Sequence, residues 1–301
     1  LETEFDIGIL TNLTGDHLDF HRDFEEYRET KGLLFQQLGP GEKKAPKYAV
    51  LNADDPHCDY YRQISRVPVC TYSVKKESDF QAQEVRITPK SASFHVQGFP
   101  ERIHLPLTGL FSVYNALAAI AVAVREGLPP GIIAAALREF PGVPGRFELI
   151  DEGQDFAVVV DYAHTPDGLE KVLKTAREVS RGKLITVFGC GGDRDRSKRP
   201  LMGEVAGKYS DFSIVTSDNP RTEDPVSIIS DILPGLEKTG QGRYLTITDR
   251  REAIREALAR AGTGDLVLIA GKGHETFQLI GGESYPFDDR EVARELLRGE
   301  G

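Results

Sequence analysis

Residues 212–221 read FSIVTSDNPR, an apolar run that ends in a polar turn. The run predicts a buried strand, and a helical pattern follows it, as in open α/β sheets that bind ligands where strands end. An arginine pairs with carboxylates, an amide donates and accepts, and an aspartate can hold an ammonium. Asp218, Asn219 and Arg221 therefore suit a zwitterionic ligand. The alternative interpretation is an Asx-turn that Pro220 closes, and both stay open at this point.

Alternating strands and helices extend on both sides of this stretch. Strands are predicted at 156–161, 183–189, 212–216, 243–248 and 265–271, and helices at 167–180, 199–209, 225–237 and 250–261, with a hairpin at 277–285 and a last helix at 288–297. Such alternation predicts an α/β fold with a parallel, doubly wound, Rossmann-like sheet. A breaker cluster, PGVPG, precedes it, and the predicted domains are 1–143 and 144–301.

The first half of the chain mixes two patterns. Parallel-type strands are predicted at 5–10, 48–51 and 67–72, a small antiparallel insert or sheet edge at 80–107, and helices at 23–38, 112–126 and 130–140. Lys31 falls on the apolar stripe of the first helix, between Phe24 and Phe35. A lysine there either snorkels to solvent or points, with altered charge, into a site shared with His17.

Composition limits the classes of partner and compartment. With 301 residues the chain is expected to form two domains, and its net charge of −10 argues against nucleic acid and anionic membranes as partners. Three cysteines without a CxxC pair predict a reducing cytoplasm and no zinc site. No apolar run reaches membrane-spanning length, and the chain begins at Leu1, without Met, just before a strand. We therefore expect a cytoplasmic monomer that is part of a longer protein.

Three further polar loops follow predicted strands of the second half. They read DYAHTPD at 161–167, GCGGDRDRSKRP at 189–200 and GKGHE at 271–275. Because parallel strands end at one edge of a sheet, these loops and 217–221 are expected to converge on one site. Asp161 suits a ribose hydroxyl or a helix N-cap, and His164 suits a phosphate or an ordinary loop.

The loop at 189–200 is the most basic of these. Its glycines predict close approach of backbone to a ligand, and its cations predict a phosphate or carboxylate guest. These cations are Arg194, Arg196, Lys198 and Arg199. It is not a Walker A loop, which requires GxxxxGK[ST]. The alternative is a solvated loop whose charge Asp193 and Asp195 balance.

Together these stretches resemble the Mur ligase family, in its meso-diaminopimelate-adding form. The matching stretches are TNLTGDHLDFH at 11–21, then 27–35, 109–119, GRFE at 145–148, 161–167, 189–202, 218–221 and 271–275. They span nearly the whole chain in the order of the family. The resemblance implies the carboxyl-terminal part of a P-loop-type central ATP-binding domain, followed by a Rossmann-like amino-acid-binding domain.

The resemblance also implies roles for single residues. His17 corresponds to a Mg²⁺-binding histidine, and Lys31 to a lysine that is N-carboxylated (carbamylated) and helps to hold the ion. The residues implied at ATP are Asn115, Arg146, Asp161, His164 and Lys198. The residues implied at the amino acid are Arg194, Asp218, Asn219, Pro220, Arg221, Gly271 and Glu275. Of these, Asn219 and Arg221 would hold the distal carboxylate, Arg194 the other one, and Gly271 and Glu275 an amino group.

The activity that the resemblance implies is ATP-dependent ligation of meso-diaminopimelate to UDP-N-acetylmuramoyl-L-alanyl-D-glutamate in peptidoglycan synthesis. The reaction runs through an acyl phosphate, with ATP and Mg²⁺, and closes about a hinge near 142–145. In the family a phosphate loop, a metal-ligand glutamate and the uridine-binding domain precede the position of Leu1, so this chain alone is expected to be inactive. The alternatives are a folylpolyglutamate or cyanophycin synthetase-like ligase, or a non-catalytic binding fragment.

Overall fold

The computed structural model describes residues 4–13, 22–39, 46–240 and 243–300. The chain divides into two compact units. One comprises Leu1–Ile87 with Ser91–Phe140, and the other Thr88–Lys90 with Pro141–Gly301. The boundary predicted after residue 143 lies close to this division.

The first unit contains a sheet in which the strands follow chain order. Its strands are β1 (Ile7–Leu10), β2 (Tyr48–Asn52), β3 (Val69–Ser73), β4 (Phe80–Thr88), β5 (Ser91–Val96) and β6 (Ile103–Leu105). β1, β2 and β3 are parallel, and β5 and β6 are antiparallel. The start of β4 pairs in parallel with β3. The predicted antiparallel insert or sheet edge at 80–107 is therefore joined to the parallel sheet through the start of β4.

In the described part of this unit, four helices accompany the sheet. They are α1 (Phe24–Gln37), α2 (Cys58–Ile64), α3 (Leu110–Arg125) and α4 (Pro130–Glu139). Asp23 caps α1 by accepting the Glu26 N–H, and α4 begins at a proline whose fixed φ suits the first helical turn. The apolar α3 packs on the sheet through Val113, Leu117 and Ile120. The helices at 24–37, 110–125 and 130–139 confirm the predictions, whereas α2 was not predicted.

The second unit contains a six-stranded sheet in the order β11-β10-β9-β12-β8-β7. Its strands are β7 (Glu148–Ile150), β8 (Ala157–Asp161), β9 (Leu184–Phe188), β10 (Phe212–Val215), β11 (Arg243–Thr246) and β12 (Leu266–Ala270). Five strands are parallel, and the unpredicted β7 runs antiparallel to β8. The last parallel strand, β12, lies between β8 and β9, so the strand order changes direction at this point.

Helices cover both faces of this second sheet. They are α5 (Pro166–Val179), α6 (Lys198–Tyr209), α7 (Pro225–Thr239), α8 (Arg250–Arg260) and α9 (Asp289–Arg298), and a hairpin, β13 (Phe277–Ile280) and β14 (Glu283–Pro286), precedes α9. Alternate residues of β8 face opposite sides: Val159 packs with α5, α6 and α7, and Val158 with α8 and α9. The predicted doubly wound α/β fold is therefore confirmed. Among the described residues no helix is both long and apolar enough to cross a membrane.

Candidate functional site

Four polar loops leave the second sheet at one edge. Asp161 and Ala270 are register partners at the ends of β8 and β12, and Phe188 and Val215 are partners at the ends of β9 and β10. β12 also pairs with β9. The loops therefore begin side by side, at the position where parallel sheets bind ligands.

The stretch 217–221 is buried up to Pro220. Asn219 is only 5% exposed; its Oδ1 accepts the N–H of Leu279 at 2.9 Å, and its Nδ2 donates to Oε2 of Glu275 at 2.8 Å. Asp218 is buried too, and its Oδ1 accepts the N–H of Asn219 at 2.7 Å. Much of the polar capacity of this stretch is therefore used inside the protein.

Arg221 differs from its neighbours because it is half-buried. Its backbone is in the left-handed region, with φ of 52°, and its amide and carbonyl bond to Leu279 and Gly281 of the β13–β14 hairpin. NH1 donates to the carbonyl of Gly192 at 2.7 Å. The other guanidinium N–H groups have no partner in the part of the chain that the structure describes. Strained backbone of this kind persists where the surrounding structure holds it, and it often marks functional sites.

Lys272 was not among the predicted site residues, yet it lies at the centre of this cluster. It is fully buried, and its Nζ donates to Oδ1 of Asn219 at 3.1 Å, to Oε2 of Glu275 at 3.2 Å and to the carbonyl of Phe277 at 2.5 Å. The only sequence signal was its place between two glycines in GKGHE. That pattern does not indicate whether the lysine faces solvent or the interior.

The glycines of the loop at 189–200 serve contact between loops. A Cβ on Gly192 would lie 2.0 Å from the carbonyl oxygen of Pro220, and one on Gly189 would lie 2.2 Å from that of Thr216. A Cβ on Gly191 would come within 2.9 Å of the Arg221 guanidinium. These glycines were expected to approach a ligand; the structure shows that they approach the stretch 216–221.

Two of the four cations of this loop are neutralised within the protein. Arg199 is fully buried and makes ion pairs of 2.8 Å with Glu223 and with Asp231, and Arg196 also pairs with Asp231 at 3.2 Å. The Arg199 guanidinium, with the Asp193 N–H, lowers the pKa of Glu223 from 4.5 to about 2. The expectation of free charge for an anion is therefore wrong for Arg199, because two acids from outside the loop bind it, whereas Arg196 is exposed and shares Asp231 with it.

The other two cations of this loop are Arg194 and Lys198. Arg194 is exposed and, among the described residues, bonds only to the neighbouring Asp193 carbonyl, at 3.2 Å. Asp193 has a left-handed φ of 52°, and its carboxylate accepts the N–H and hydroxyl of Thr222. Lys198 donates to the carbonyl of His164 at 3.0 Å. Arg194 and Arg221 are thus the guanidinium groups left for an anionic ligand among these loops.

A second group of predicted residues surrounds Tyr162. The Arg146 guanidinium lies 4.8 Å from the centre of its ring, and the rings of His164 and His274 lie 4.7 and 5.0 Å away. Asp161 accepts the N–H groups of Phe147 and Ala163, both at 2.8 Å.

Burial raises the pKa of Asp161, although those two N–H bonds favour its charged form. The structure thus gives Asp161 a role in fixing the loops. Because each carboxylate oxygen has a second lone pair, an outer hydroxyl can still bind there.

Behind the site, a buried ion pair joins the ends of the strands. Arg250 and Asp289 are both fully buried and form two hydrogen bonds, of 2.7 and 2.8 Å. The same guanidinium donates to the carbonyls of Ala270 at 3.0 Å and Ser217 at 3.4 Å. It therefore holds together the ends of β10 and β12. Helix periodicity placed Arg250 in a predicted helix but did not indicate this partner.

Within the first unit, Asn115 lines a cleft of about 280 Å³. Phe111 and Tyr114 lie on the same helix and also line it. The Tyr114 hydroxyl donates to Asp54 at 2.8 Å, and the Asp54 carboxylate also accepts backbone N–H groups of residues 74–76. The wall of the cleft is thereby fixed. Its size and its mixture of rings and amides suit a planar heterocycle.

Of the two predicted metal residues, Lys31 lies within the described part of the chain. Lys31 is exposed, with its Nζ 5.5 Å from the Tyr27 ring centre. The buried neighbour is Gly32, where a Cβ would lie 2.8 Å from Cδ1 of Ile64 on α2. Of the two alternatives for Lys31, its exposure agrees with a side chain that snorkels to solvent, while the neighbouring Gly32 faces α2.

His17, the other predicted metal ligand, lies outside the described residues. Within the described ranges no group of three His, Cys, Asp or Glu side chains could hold a metal ion. The cysteines, Cys58, Cys70 and Cys190, are buried and free.

Comparison with known domain families gives two matches. The Mur ligase middle domain matches residues 1–123, and the domain described as "Mur ligase, glutamate ligase domain" matches residues 145–273. Both agree with the resemblance found from the motifs.

Curated relatives match along nearly the full chain. A UDP-N-acetylmuramoyl-L-alanyl-D-glutamate–2,6-diaminopimelate ligase from Syntrophomonas wolfei is 56% identical over 99% of this chain and 61% of its own length. The ligase of the same name from Geobacillus thermodenitrificans is 50% identical over 98% of the chain and 61% of its own length. The chain thus spans about 61% of the length of these relatives.

Solved structures give the same picture. A structure of a ligase with that name aligns with a TM-score of 0.72 at 38% identity, covering 99% of this chain and 61% of the other. The UDP-N-acetylmuramate-alanine ligase of Thermotoga maritima aligns with a TM-score of 0.62 at 21% identity, covering 99% and 60%. The second likeness concerns the fold alone.

Proposed function

Because this chain belongs to the Mur ligase family, we propose that it supplies the nucleotide and amino-acid sites of an ATP-dependent ligase. The proposed substrates are meso-diaminopimelate and UDP-N-acetylmuramoyl-L-alanyl-D-glutamate, which the names of the similar proteins also contain. The product is a precursor of peptidoglycan. Since ATP and UDP-linked precursors are cytoplasmic, the reaction is placed in the cytoplasm.

One observation carries the amino-acid part of the proposal. The Arg221 guanidinium and the Cγ of Arg194 both lie beside Gly191, so two arginine side chains leave from this point, and Glu275 keeps one carboxylate oxygen without a partner among the described residues. Guanidinium groups bind carboxylates and a carboxylate binds an ammonium, so the loops match a ligand with two carboxylates and an amine. Lysine lacks the second carboxylate and would leave Arg221 unpaired.

The proposed reaction proceeds in two steps. The γ-phosphoryl group of ATP moves to the carboxylate of the dipeptide, so that a P–O bond forms and the bond to ADP breaks. The amine nitrogen of meso-diaminopimelate then attacks the acyl carbon, the C–O bond to phosphate breaks, and the nitrogen loses a proton. The described residues contribute by holding the nucleotide and by orienting the amine, which is catalysis by positioning.

Nucleotide and metal differ in how well the described residues fit them. The cleft beside Asn115 would hold the adenine ring of ATP. The phosphates of ATP would bind to Arg146, His164 and Lys198. Its ribose would bind to Asp161. Mg²⁺, when bound, would neutralise charge on the phosphoryl group. Its proposed ligands are His17 and carbamylated Lys31. The described residues do not form such a site by themselves.

Calorimetric titration of the chain with meso-diaminopimelate and with L-lysine tests the amino-acid site. We expect meso-diaminopimelate to bind weakly and L-lysine about tenfold or more weaker still, since one charge-assisted pairing is lost. Equal affinities would contradict the proposed selectivity. An absence of binding by both would contradict the proposed site.

A further inference from the structure

Lys272 has no role in the proposed reaction, although it is fully buried among the predicted amino-acid contacts. A buried ammonium is costly unless each N–H is paired. The three N–H groups meet three acceptors, on Asn219, Glu275 and Phe277. None is left for a ligand. We propose that Lys272 is a positioning residue, which makes Asn219 a hydrogen-bond donor and Glu275 an acceptor towards the amino acid; this inference rests on the proposed function.

Lys272 and Leu279 fix the orientation of the Asn219 amide. Its Oδ1 accepts from Lys272 Nζ and from the Leu279 N–H, which fills both lone pairs of the oxygen. A rotation by 180° would turn the NH₂ group towards these two donors, so only one orientation is stable. One N–H then goes to Glu275. The other has no partner among the described residues and is available to a carboxylate.

Lys272 and Asn219 also fix the position of the Glu275 carboxylate. Its Oε2 accepts from both Lys272 and Asn219, at 3.2 and 2.8 Å. These two donors hold the half-buried carboxylate in place. Oε1 has no partner within the described ranges and can accept an ammonium. A donor and an anionic acceptor thus stand next to each other, which matches the adjacent carboxylate and ammonium of one amino-acid centre.

A purely structural role is the alternative. Lys272 also bonds to the Phe277 carbonyl and so ties the end of the 271–276 loop to β13. Loss of that bond alone would lower the affinity for every ligand at this edge of the sheet to the same degree. A positioning role predicts unequal losses of affinity, because meso-diaminopimelate has a second amino-acid centre, which lysine lacks.

The test is calorimetric titration of the chain and of Lys272→Met with meso-diaminopimelate, L-lysine and ATP. We expect the dissociation constant for meso-diaminopimelate to rise about tenfold or more, with a smaller rise for L-lysine, whose ε-ammonium still meets Glu275, and less than about a twofold change for ATP. Lys208→Met, which removes an exposed lysine of α6, is the matched control and should change none of them. Equal losses for meso-diaminopimelate and L-lysine, or no loss for either, would overturn the inference.

A double-mutant cycle also measures the coupling between Lys272 and Asn219, which a purely structural role of Lys272 would not produce. If Lys272 acts by orienting Asn219, Lys272→Met should cost much less in an Asn219→Ala background, whereas additive losses would overturn the inference. Should Lys272→Met fail to fold, Lys272→Gln, which keeps a neutral donor, is expected to show the same unequal losses to a smaller extent. If the parent chain binds no amino acid, the proposed function fails as well; if it binds and the variants match it, only the role of Lys272 fails.

Discussion

At the scale of the residue, Arg221 carries the proposed selectivity. Its guanidinium donates to the Gly192 carbonyl and keeps further N–H groups for a ligand. Arg221→Lys retains the charge but loses the planar fork that binds a carboxylate through two bonds. We expect affinity for meso-diaminopimelate to fall about tenfold or more and affinity for L-lysine to stay unchanged, measured by calorimetry.

The matched control for this prediction is Arg181→Lys. Arg181 is exposed and precedes β9, at the opposite edge of the same sheet. This variant should bind both amino acids like the parent chain. If Arg221→Lys lowered the affinity for both amino acids equally, Arg221 would support the loop and would not select the ligand by binding its second carboxylate.

Glu223 predicts a pH dependence of stability. Hydrogen bonds from Arg199, and then from the Asp193 N–H, lower the pKa of its carboxyl from 4.5 to about 2. A lowered pKa in the folded state means that the contribution of Glu223 is complete above pH 4.5 and is lost as the pH falls towards 2. Glu223→Gln should therefore be less stable than the parent at pH 7, with a difference that shrinks between pH 4.5 and pH 2.

Urea unfolding at a series of pH values measures this difference. Glu178→Gln, at an exposed position of α5, is the control and should follow the parent at every pH. A Glu223→Gln difference that stayed constant down to pH 2 would show that the ion pair with Arg199 does not set the acid dependence.

At the scale of the element, the contact between the 189–200 loop and the 216–221 stretch depends on glycine. A Cβ on Gly192 would lie 2.0 Å from a backbone oxygen, which cannot move aside as a flexible side chain could. Gly192→Ala is expected to destabilise the chain by about 1–3 kcal/mol in urea unfolding and to weaken meso-diaminopimelate binding. Gly262→Ala, whose Cβ would meet nothing nearer than 3.8 Å, should change neither.

The elements themselves could largely be predicted from the sequence. Long apolar strands and amphipathic helices have a clear period, and buried strands such as β12 and capped helices such as α5 follow the predictions. α2 has seven residues and β7 has three. Segments of that length contain too few periods to be distinguished from a turn, so both were missed. The pairing of β4 with β3 was not predicted because pairing partners are not encoded in local alternation.

At the scale of the whole molecule, the sequence indicated where the site lies better than how it is built. The edge of the sheet followed from polar residues at strand ends. Which polar groups stay free depends on partners that are far apart in sequence. Arg199 is bound by Glu223 and Asp231, and Asn219 by Lys272. No local pattern reports those pairings, and so Arg199 was assigned to a ligand and Lys272 to nothing.

The two units also predict that nucleotide and amino acid depend on different residues. Asn115 lines a cleft whose residues all belong to the first unit, whereas Arg221 belongs to the second. Asn115→Ala should weaken ATP binding about threefold to tenfold, the usual effect of one lost hydrogen bond, and leave meso-diaminopimelate binding unchanged. Arg221→Lys should do the reverse.

Titration of both variants with both ligands checks this separation, with Gln97→Ala, an exposed amide outside the cleft, as the control for Asn115→Ala. Loss of both ligands in one variant that still unfolds like the parent would contradict independent sites. It would mean that the amino-acid loops respond to the nucleotide cleft. Separate losses would instead show that the cleft beside Asn115 and the loop at Arg221 bind their ligands independently.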